Sequence, residues 1–254
     1  VCKRIARRLN EIGLANLDEY RARLEVAPEE WKALDRCCRV TISRFFRDRE
    51  VFRVLQDDVL PGLAERAGVD GCSDILCWSA GCGSGEEPYT LSLLWRLPRD
   101  GEGGDALSEQ FPGLSLRVTA TDADPLLLER AANAVYPRGT LKELPGEWVP
   151  AAFQELDGGF RLKPEFRKDV RFREMDIREA APQGTFDLIL CRNLAFTYFE
   201  EDLQAEVLES LLDRLHAGGV LVMGGHESPP QGPWPLARMK RGLPVFRREG
   251  PLEP

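Results

Sequence analysis

Residues Trp78–Thr90, WSAGCGSGEEPYT, place Gly81, Gly83 and Gly85 within five positions and follow them at once with Glu86, Glu87, Pro88 and Tyr89. The run ILCWSA that leads into the glycines reads as a strand. The residues beyond them, through Leu97, read as a helix with Pro88 in its first turn, where a missing N–H costs nothing. Strand, glycine turn and helix together bring backbone N–H groups and a helix N-terminus up to a nucleotide-like ligand.

The spacing decides which ligand. A phosphate-binding turn would read G-x-G-x-x-G; this one reads G-x-G-x-G and adds two carboxylates. Each carboxylate would oppose a pyrophosphate by about 1 kcal/mol or more in a partly dry site. A cationic ligand suits them, and S-adenosylmethionine, with a sulfonium, an ammonium and no phosphate, fits better than NAD. Glu86 taken alone has a plainer reading as the complement of the helix dipole.

Outward from this loop, short β-rich runs alternate with helical ones: LRVTATD, VRFREMD, FDLILC, GVLVMGG and VFRRE. Such alternation predicts parallel strands joined by right-handed crossovers and covered on both faces. A leucine and valine stripe over Asp202–Leu215 predicts a further helix, stopped by Ala217-Gly218-Gly219. Residues 1–68 show only helical spacing and read as a separate helical domain before an α/β domain over 69–254. The pattern lapses over about 144–170, where GGF beside RLKP predicts a small inserted hairpin. Asp122, at the tip of the second strand, is placed to accept hydrogen bonds from ribose hydroxyls, while Asp124 before Pro125 reads as a helix N-cap. Asp176, after the third strand, is either an acceptor for an adenine amino group or a carboxylate facing water.

The 254 residues carry a net charge of −8, with 43% hydrophobic and 30% charged residues. The acidic balance argues against a nucleic-acid partner. KRIARRL, at Lys3–Leu9, and FRLKPEFRKDVRFR, at Phe160–Arg173, are local basic runs that read as solvated charge on a helix and a hairpin. No apolar run approaches the length that spans a bilayer, so no membrane insertion is expected. Seven cysteines without a C-x-x-C, and two histidines, His216 and His226, suit a reduced cytoplasmic protein and offer no metal site.

These stretches, taken in order, resemble the CheR family of chemotaxis-receptor glutamate methyltransferases. VTISRFFRD resembles the family's N-x-T-x-F-F-R segment and WSAGCGSGEEPYTLSL its W-S-A-G-C-S-T-G-E-E-P-Y-S loop; TATDAD, FDLILCRN, LHAGGVLVMGGHE and VFRR follow in sequence. The resemblance implies a class I methyltransferase, a Rossmann-like doubly wound α/β sheet, with an N-terminal helical domain and S-adenosylmethionine as cofactor. It matches Thr41, Ser43 and Arg47 to cofactor and active-site contacts, Glu87 to the ligand of the methionine ammonium, and Asp122 to the ribose binder. It further matches Asp176 and Ile177 to adenine contacts, Arg192 and Asn193 to the closure after the fourth strand, and Tyr198, with Arg47, to the acceptor side. The implied partner is the cytoplasmic region of a chemoreceptor, and the implied state a monomer. Plainer readings stand beside these: Arg47 as a surface partner of Asp48 or Glu50, and Tyr198 and Phe199 as packing at a strand end.

The chain also departs from the pattern. The family's C-R-N-V-x-I-Y-F is here CRNLAFTYF, one residue longer, which shifts Tyr198 and brings Thr197 to the nearer slot. The closing G-H-S-E is here GHES, leaving the roles of His226 and Glu227 open, and the inserted hairpin is short. Two further functions stay open at this point: a methyltransferase of a small molecule or unrelated protein, and a module that binds the cofactor without turnover.

Overall fold

The computed structural model describes residues 2–38, 43–99 and 104–250. Two compact units emerge, Val1–Ile42 and Ser43–Pro254. This division differs from the expected boundary near residue 68. The helical run over residues 49–69 belongs to the larger unit, because its Phe52, Leu55, Leu60 and Leu63 are buried in the same cluster as Ile75 and Cys77 of the first strand.

The smaller unit contains helices Cys2–Glu11, Leu17–Val26 and Pro28–Cys38. Asn16 caps the second by accepting a hydrogen bond from the Glu19 N–H. Glu30, 5% exposed, is clasped by the Arg8 guanidinium through Nε and Nη2, both at 2.8 Å, and by the Tyr20 hydroxyl at 3.0 Å. Arg8 holds the Glu30 carboxyl below the usual range. Part of the KRIARRL charge is therefore a partner of a buried carboxylate rather than solvated surface.

Among the described residues the larger unit has ten strands: β1 (Asp74–Ala80), β2 (Ser115–Asp122), β3 (Val135–Tyr136), β4 (Phe153–Leu156), β5 (Gly159–Leu162), β6 (Val170–Glu174), β7 (Phe186–Cys191), β8 (Leu215–Val222), β9 (Leu236–Arg238) and β10 (Val245–Arg248). The main sheet runs β6-β2-β1-β7-β8-β10-β9. β6, β2, β1, β7 and β8 are parallel, whereas β10 is antiparallel to both β8 and β9. Strand order reverses between β1 and β7, which opens a crevice at their carboxyl ends. Both faces are covered: Leu188 and Leu190 of β7 point into the core that holds the 49–69 helices, while Ile189 and Cys191 point into a second core with Val207, Leu208 and Leu211.

Two local differences from the sequence reading have clear causes. The helix expected over Asp202–Leu215 is Glu201–Asp213, because Leu215 pairs with Phe186 and opens β8, with an irregularity in the ladder before Val220. β9 is three residues long, too short to show a pattern of its own. Among the described residues no helix is long and apolar enough to cross a membrane.

The inserted hairpin is β4–β5, and β3 joins it in a three-stranded antiparallel sheet. The extra strand comes from residues before the expected insertion. Phe45, fully buried, packs edge-on against Tyr136 at 4.8 Å and Phe153 at 5.3 Å, and its N–H donates to the Thr140 carbonyl at 3.0 Å. The FFRD segment is thus pinned to the inserted sheet by one ring. Phe45→Ala should lower unfolding stability by about 3–5 kcal/mol, the usual cost of emptying a buried phenylalanine site, read as the urea midpoint of the chain.

Candidate functional site

The parallel strands deliver the site residues to one edge of the sheet. Gly81–Gly85 follow β1, Asp122 ends β2, Asp176 and Ile177 follow β6, Arg192 and Asn193 follow β7, and Glu227 follows β8.

The glycine loop is held open by its backbone. Gly81 has φ 72°, and a Cβ there would lie 2.3 Å from the Leu194 side chain. Gly85 has φ 90°, and a Cβ would meet Ala131 at 2.9 Å and Phe172 at 3.1 Å. The Gly81 and Cys82 N–H groups donate to the Thr121 carbonyl at 2.8 and 2.9 Å, and the Gly83 N–H donates to Asp122 Oδ2 at 2.8 Å. The other Asp122 oxygen accepts from the Asp124 N–H at 2.9 Å. Asp122 therefore ties the tip of β2 to the loop. Asp124 caps the next helix, accepting from Leu126 N–H at 3.0 Å, as its sequence context suggests.

At the centre lies Arg192, with a side chain only 2% exposed. Its Nη1 donates to Glu87 Oε2 at 3.0 Å, and its Nη2 donates to Asp48 Oδ2 at 2.7 Å and to the Arg47 carbonyl at 2.9 Å. The guanidinium also sits 4.9 Å from the centre of the Phe52 ring. Glu87 Oε1 accepts from the Ser79 hydroxyl at 2.7 Å, which completes its anchoring. The Arg192 guanidinium is shared by two carboxylates, those of Glu87 and the partly exposed Asp48, so this trio carries one negative charge in excess, which fits the ammonium of a cationic cofactor. Arg192 braces one oxygen of Glu87.

The neighbouring Asn193 has a left-handed backbone, φ 55°, and its N–H donates to Glu227 Oε2 at 2.8 Å. Glu227, 7% exposed, also accepts from the Gly224 N–H at 2.6 Å and from the Thr197 hydroxyl. Tyr198 stands on the outer side of the short helix Ala195–Tyr198 and is 54% exposed. Asp176 is gripped by Arg178, whose Nε lies 2.9 Å from Oδ1 and Nη2 2.5 Å from Oδ2; Ile177 is buried with Trp78 and Ala80. Arg47 is half-buried in the turn before Asp48, and Thr41 lies outside the described residues.

The structure thus gathers Glu87, Arg192 and the Arg47 carbonyl in one cluster, with Asn193 tied to Glu227 beside it and Gly83 and Asp122 as a further group. Asp48 and Glu227, which bind the cluster together, were not assigned by sequence reasoning. Only their positions, directly after FFR and within GHES, offered a signal.

Glu86 and Glu87 occupy opposite environments. Glu86 is 3% exposed, hydrogen-bonds the Ser43 hydroxyl and has its Oε2 without a hydrogen-bond partner, so burial pushes its carboxyl up from the ordinary value. The residue that seemed a surface complement to the helix dipole is in fact enclosed. Because the folded state holds this proton more tightly than the unfolded chain, its contribution to stability is full below the ordinary glutamate range. That contribution is lost as pH rises through the raised value. Glu86→Gln should therefore flatten the loss of stability as pH rises above the ordinary glutamate range, read as the melting temperature of both chains across that rise.

Comparison with known proteins agrees with this arrangement. Residues 41–240 match the family model described as CheR methyltransferase, SAM binding domain. A chemotaxis protein methyltransferase of Listeria innocua is 34% identical over 188 residues, covering 74% of this chain and 65% of the relative. Chemotaxis protein methyltransferase 2 of Vibrio cholerae is 30% identical over 214 residues, covering 81% of this chain and 68% of the relative. An uncharacterized 104.1 kDa protein of Rhodobacter capsulatus is 29% identical over 228 residues, 90% of this chain but 23% of that protein. The chain spans 65% of the length of its Listeria relatives. With the family model matched from the FFRD segment through β9, and the glycine loop, Glu87, Asp122 and the CRN turn assembled on one sheet edge, the chain belongs to the CheR methyltransferase family.

Proposed function

We propose that the chain is an S-adenosylmethionine-dependent methyltransferase acting on a carboxylate, a glutamate side chain in the cytoplasmic region of a receptor-like protein. The observation that carries this reading is the Glu87–Arg192–Asp48 trio built around a buried guanidinium, whose single excess negative charge suits the cofactor's ammonium. Gly83 and Asp122 would hold the ribose side, and Asp176 and Ile177 the adenine. Family membership and the chemotaxis methyltransferases among its relatives support the choice of acceptor.

When bound, the cofactor would supply an electrophilic methyl group on its sulfonium for an acceptor oxygen. A carboxylate acceptor is already ionised at neutral pH, so the chain has no proton to remove. Its task is to position the oxygen and to exclude water, and Arg47 and Tyr198 are the groups proposed for that task. A cleft of about 250 Å³ opens beside Phe46, with Arg49, Arg53 and Arg99 among its walls. Its one carboxylate, Glu143, is paired with Arg44 at 3.2 Å and Arg99 with Asp57 at 2.5 Å, so Arg49 and Arg53 set the sign of its walls. The cleft has the sign to attract an acidic polypeptide in a chain whose overall charge is −8.

Labelled cofactor incubated with receptor-bearing membranes should yield base-labile label released as methanol; base-stable label would overturn the carboxylate reading. In calorimetry, S-adenosylhomocysteine should bind, and Asp122→Ala should weaken it by about 1–3 kcal/mol. Absence of binding by the intact chain would refute the cofactor assignment, and binding without transfer to any carboxylate would leave a non-catalytic module. Reversing charge with Arg49→Glu and Arg53→Glu should raise KM for an acidic protein acceptor on the order of tenfold at low salt, with cofactor affinity unchanged.

A further inference from the structure

The two sequence departures that follow β7 and β8 meet in space. The CRNLAFTYF segment is one residue longer than the family pattern, and the turn after β8 reads GHES rather than GHSE. In the structure Thr197, from the lengthened segment, donates its hydroxyl to Glu227 Oε1, the carboxylate of the altered turn. The remaining oxygen, Oε2, accepts the N–H groups of Asn193 at 2.8 Å and Gly224 at 2.6 Å. One buried carboxylate thus joins the turn after β7, the short helix beyond it and the turn after β8.

The fit around this carboxylate is close. A Cβ on Gly224 would lie 2.4 Å from Asn193 Nδ2 and 2.6 Å from Glu227 Oε2, so a side chain there would displace one or the other. Asn193 is held at φ 55°, a conformation that asparagine tolerates better than most residues but that still needs support from its surroundings. Without the acceptor at Oε2, the Asn193 and Gly224 N–H groups would be left unpaired, and the turn would have reason to relax.

We propose that Glu227 is a positioning residue that holds Asn193 in its left-handed conformation and so closes the cofactor cleft, with Thr197 as its partner. Thr197 and Glu227 then form one coupled pair: the segment after β7 delivers a hydroxyl to the carboxylate of the turn after β8. This rests on the reading of Asn193 as a cofactor contact. Glutamine at position 227 could reproduce the geometry, its carbonyl oxygen accepting both N–H groups and its amide donating to Thr197.

The experiment compares the chain with its Thr197→Val, Glu227→Gln, Glu227→Ala and Thr197→Val/Glu227→Ala variants. Titration with S-adenosylhomocysteine is paired with amide hydrogen exchange at Asn193 and Gly224. Affinity should fall several-fold in Thr197→Val and on the order of tenfold or more in Glu227→Ala, be rescued to within about threefold by Glu227→Gln, and be no weaker in the double variant than in Glu227→Ala. Exchange at the two amides should accelerate in Glu227→Ala and return toward the original rate in Glu227→Gln. Independent, multiplying losses from Thr197→Val and Glu227→Ala would overturn the coupled pair, and unchanged affinity in Glu227→Ala would overturn the positioning role. If the intact chain binds no S-adenosylhomocysteine, the cofactor reading fails instead, and exchange alone decides the strut: equal protection in all variants would sink it. Should Glu227→Ala fail to fold, Thr197→Val, at an exposed position, gives the same decision through both readouts.

Discussion

The site depends on one buried guanidinium. Placing a charge where Arg192 sits, almost wholly out of water, is costly unless the charge is paired and its donors are used. Glu87, Asp48 and the Arg47 carbonyl meet that demand for the two terminal nitrogens, and the Phe52 ring lies against the guanidinium plane; Nε alone has no partner. These partners come from chain segments separated by 105 and 144 residues. Satisfying one arginine therefore requires the FFRD turn, the helix after the glycine loop and the end of β7 to be in place together. The pairing stabilises the fold less than it fixes relative position, which is the better-attested use of buried ion pairs.

Backbone strain collects in the same place. Four described non-glycine residues have positive φ, and Phe46, Asp48 and Asn193 belong to the segments that Arg192 joins. Each conformation is held from outside. The Phe46 N–H donates to the Thr90 hydroxyl at 3.2 Å, Asp48 is drawn to Arg192, and Asn193 is fixed by Glu227. A turn that returned to the right-handed region would lose its hydrogen bond and move a site residue. Such over-determination is what allows strained residues to persist, and it makes the cleft a product of tertiary contacts rather than of local preference. The buried Cys82 and Cys191 thiols flank this region, but burial pushes both up, so neither is poised as a nucleophile.

The sheet was legible because its signal is periodic and local. β1, β2, β6, β7, β8 and β10 each present an apolar run, and the glycines after β1 mark the turn that follows. β9 and β3, of three and two residues, carry no period, and the helix-to-strand change at Leu215 depends on pairing with Phe186 across the sheet. The same divide runs through the site. Glu87 and Asp122 could be read from their places after a glycine turn and at a strand tip. Asp48 and Glu227 could not, since their partners lie 144 and 34 residues away and nothing in FFRD or GHES names them. Nor could the burial of Glu86, which comes from the packing of Ser43 and its surroundings.

That burial changes the argument from charge with which the loop was first read. Two adjacent carboxylates suggested a doubly negative site, yet they differ in kind. Glu86 is 3% exposed, has one oxygen without a hydrogen-bond partner and has its carboxyl pushed up by burial, so it is not a carboxylate open to the cleft. Glu87 is oriented by hydrogen bonds from Ser79 and Arg192, and Arg192 is itself shared with Asp48. What faces a ligand is then a cluster one negative charge in excess rather than two. A dianionic loop would favour a divalent metal as readily as an ammonium, whereas a single excess charge on an oriented, hydrogen-bonded carboxylate suits a monocation that can donate hydrogen bonds. The cationic-ligand inference survives, but Glu87 and its arginine carry it, with Glu86 serving the packing beneath.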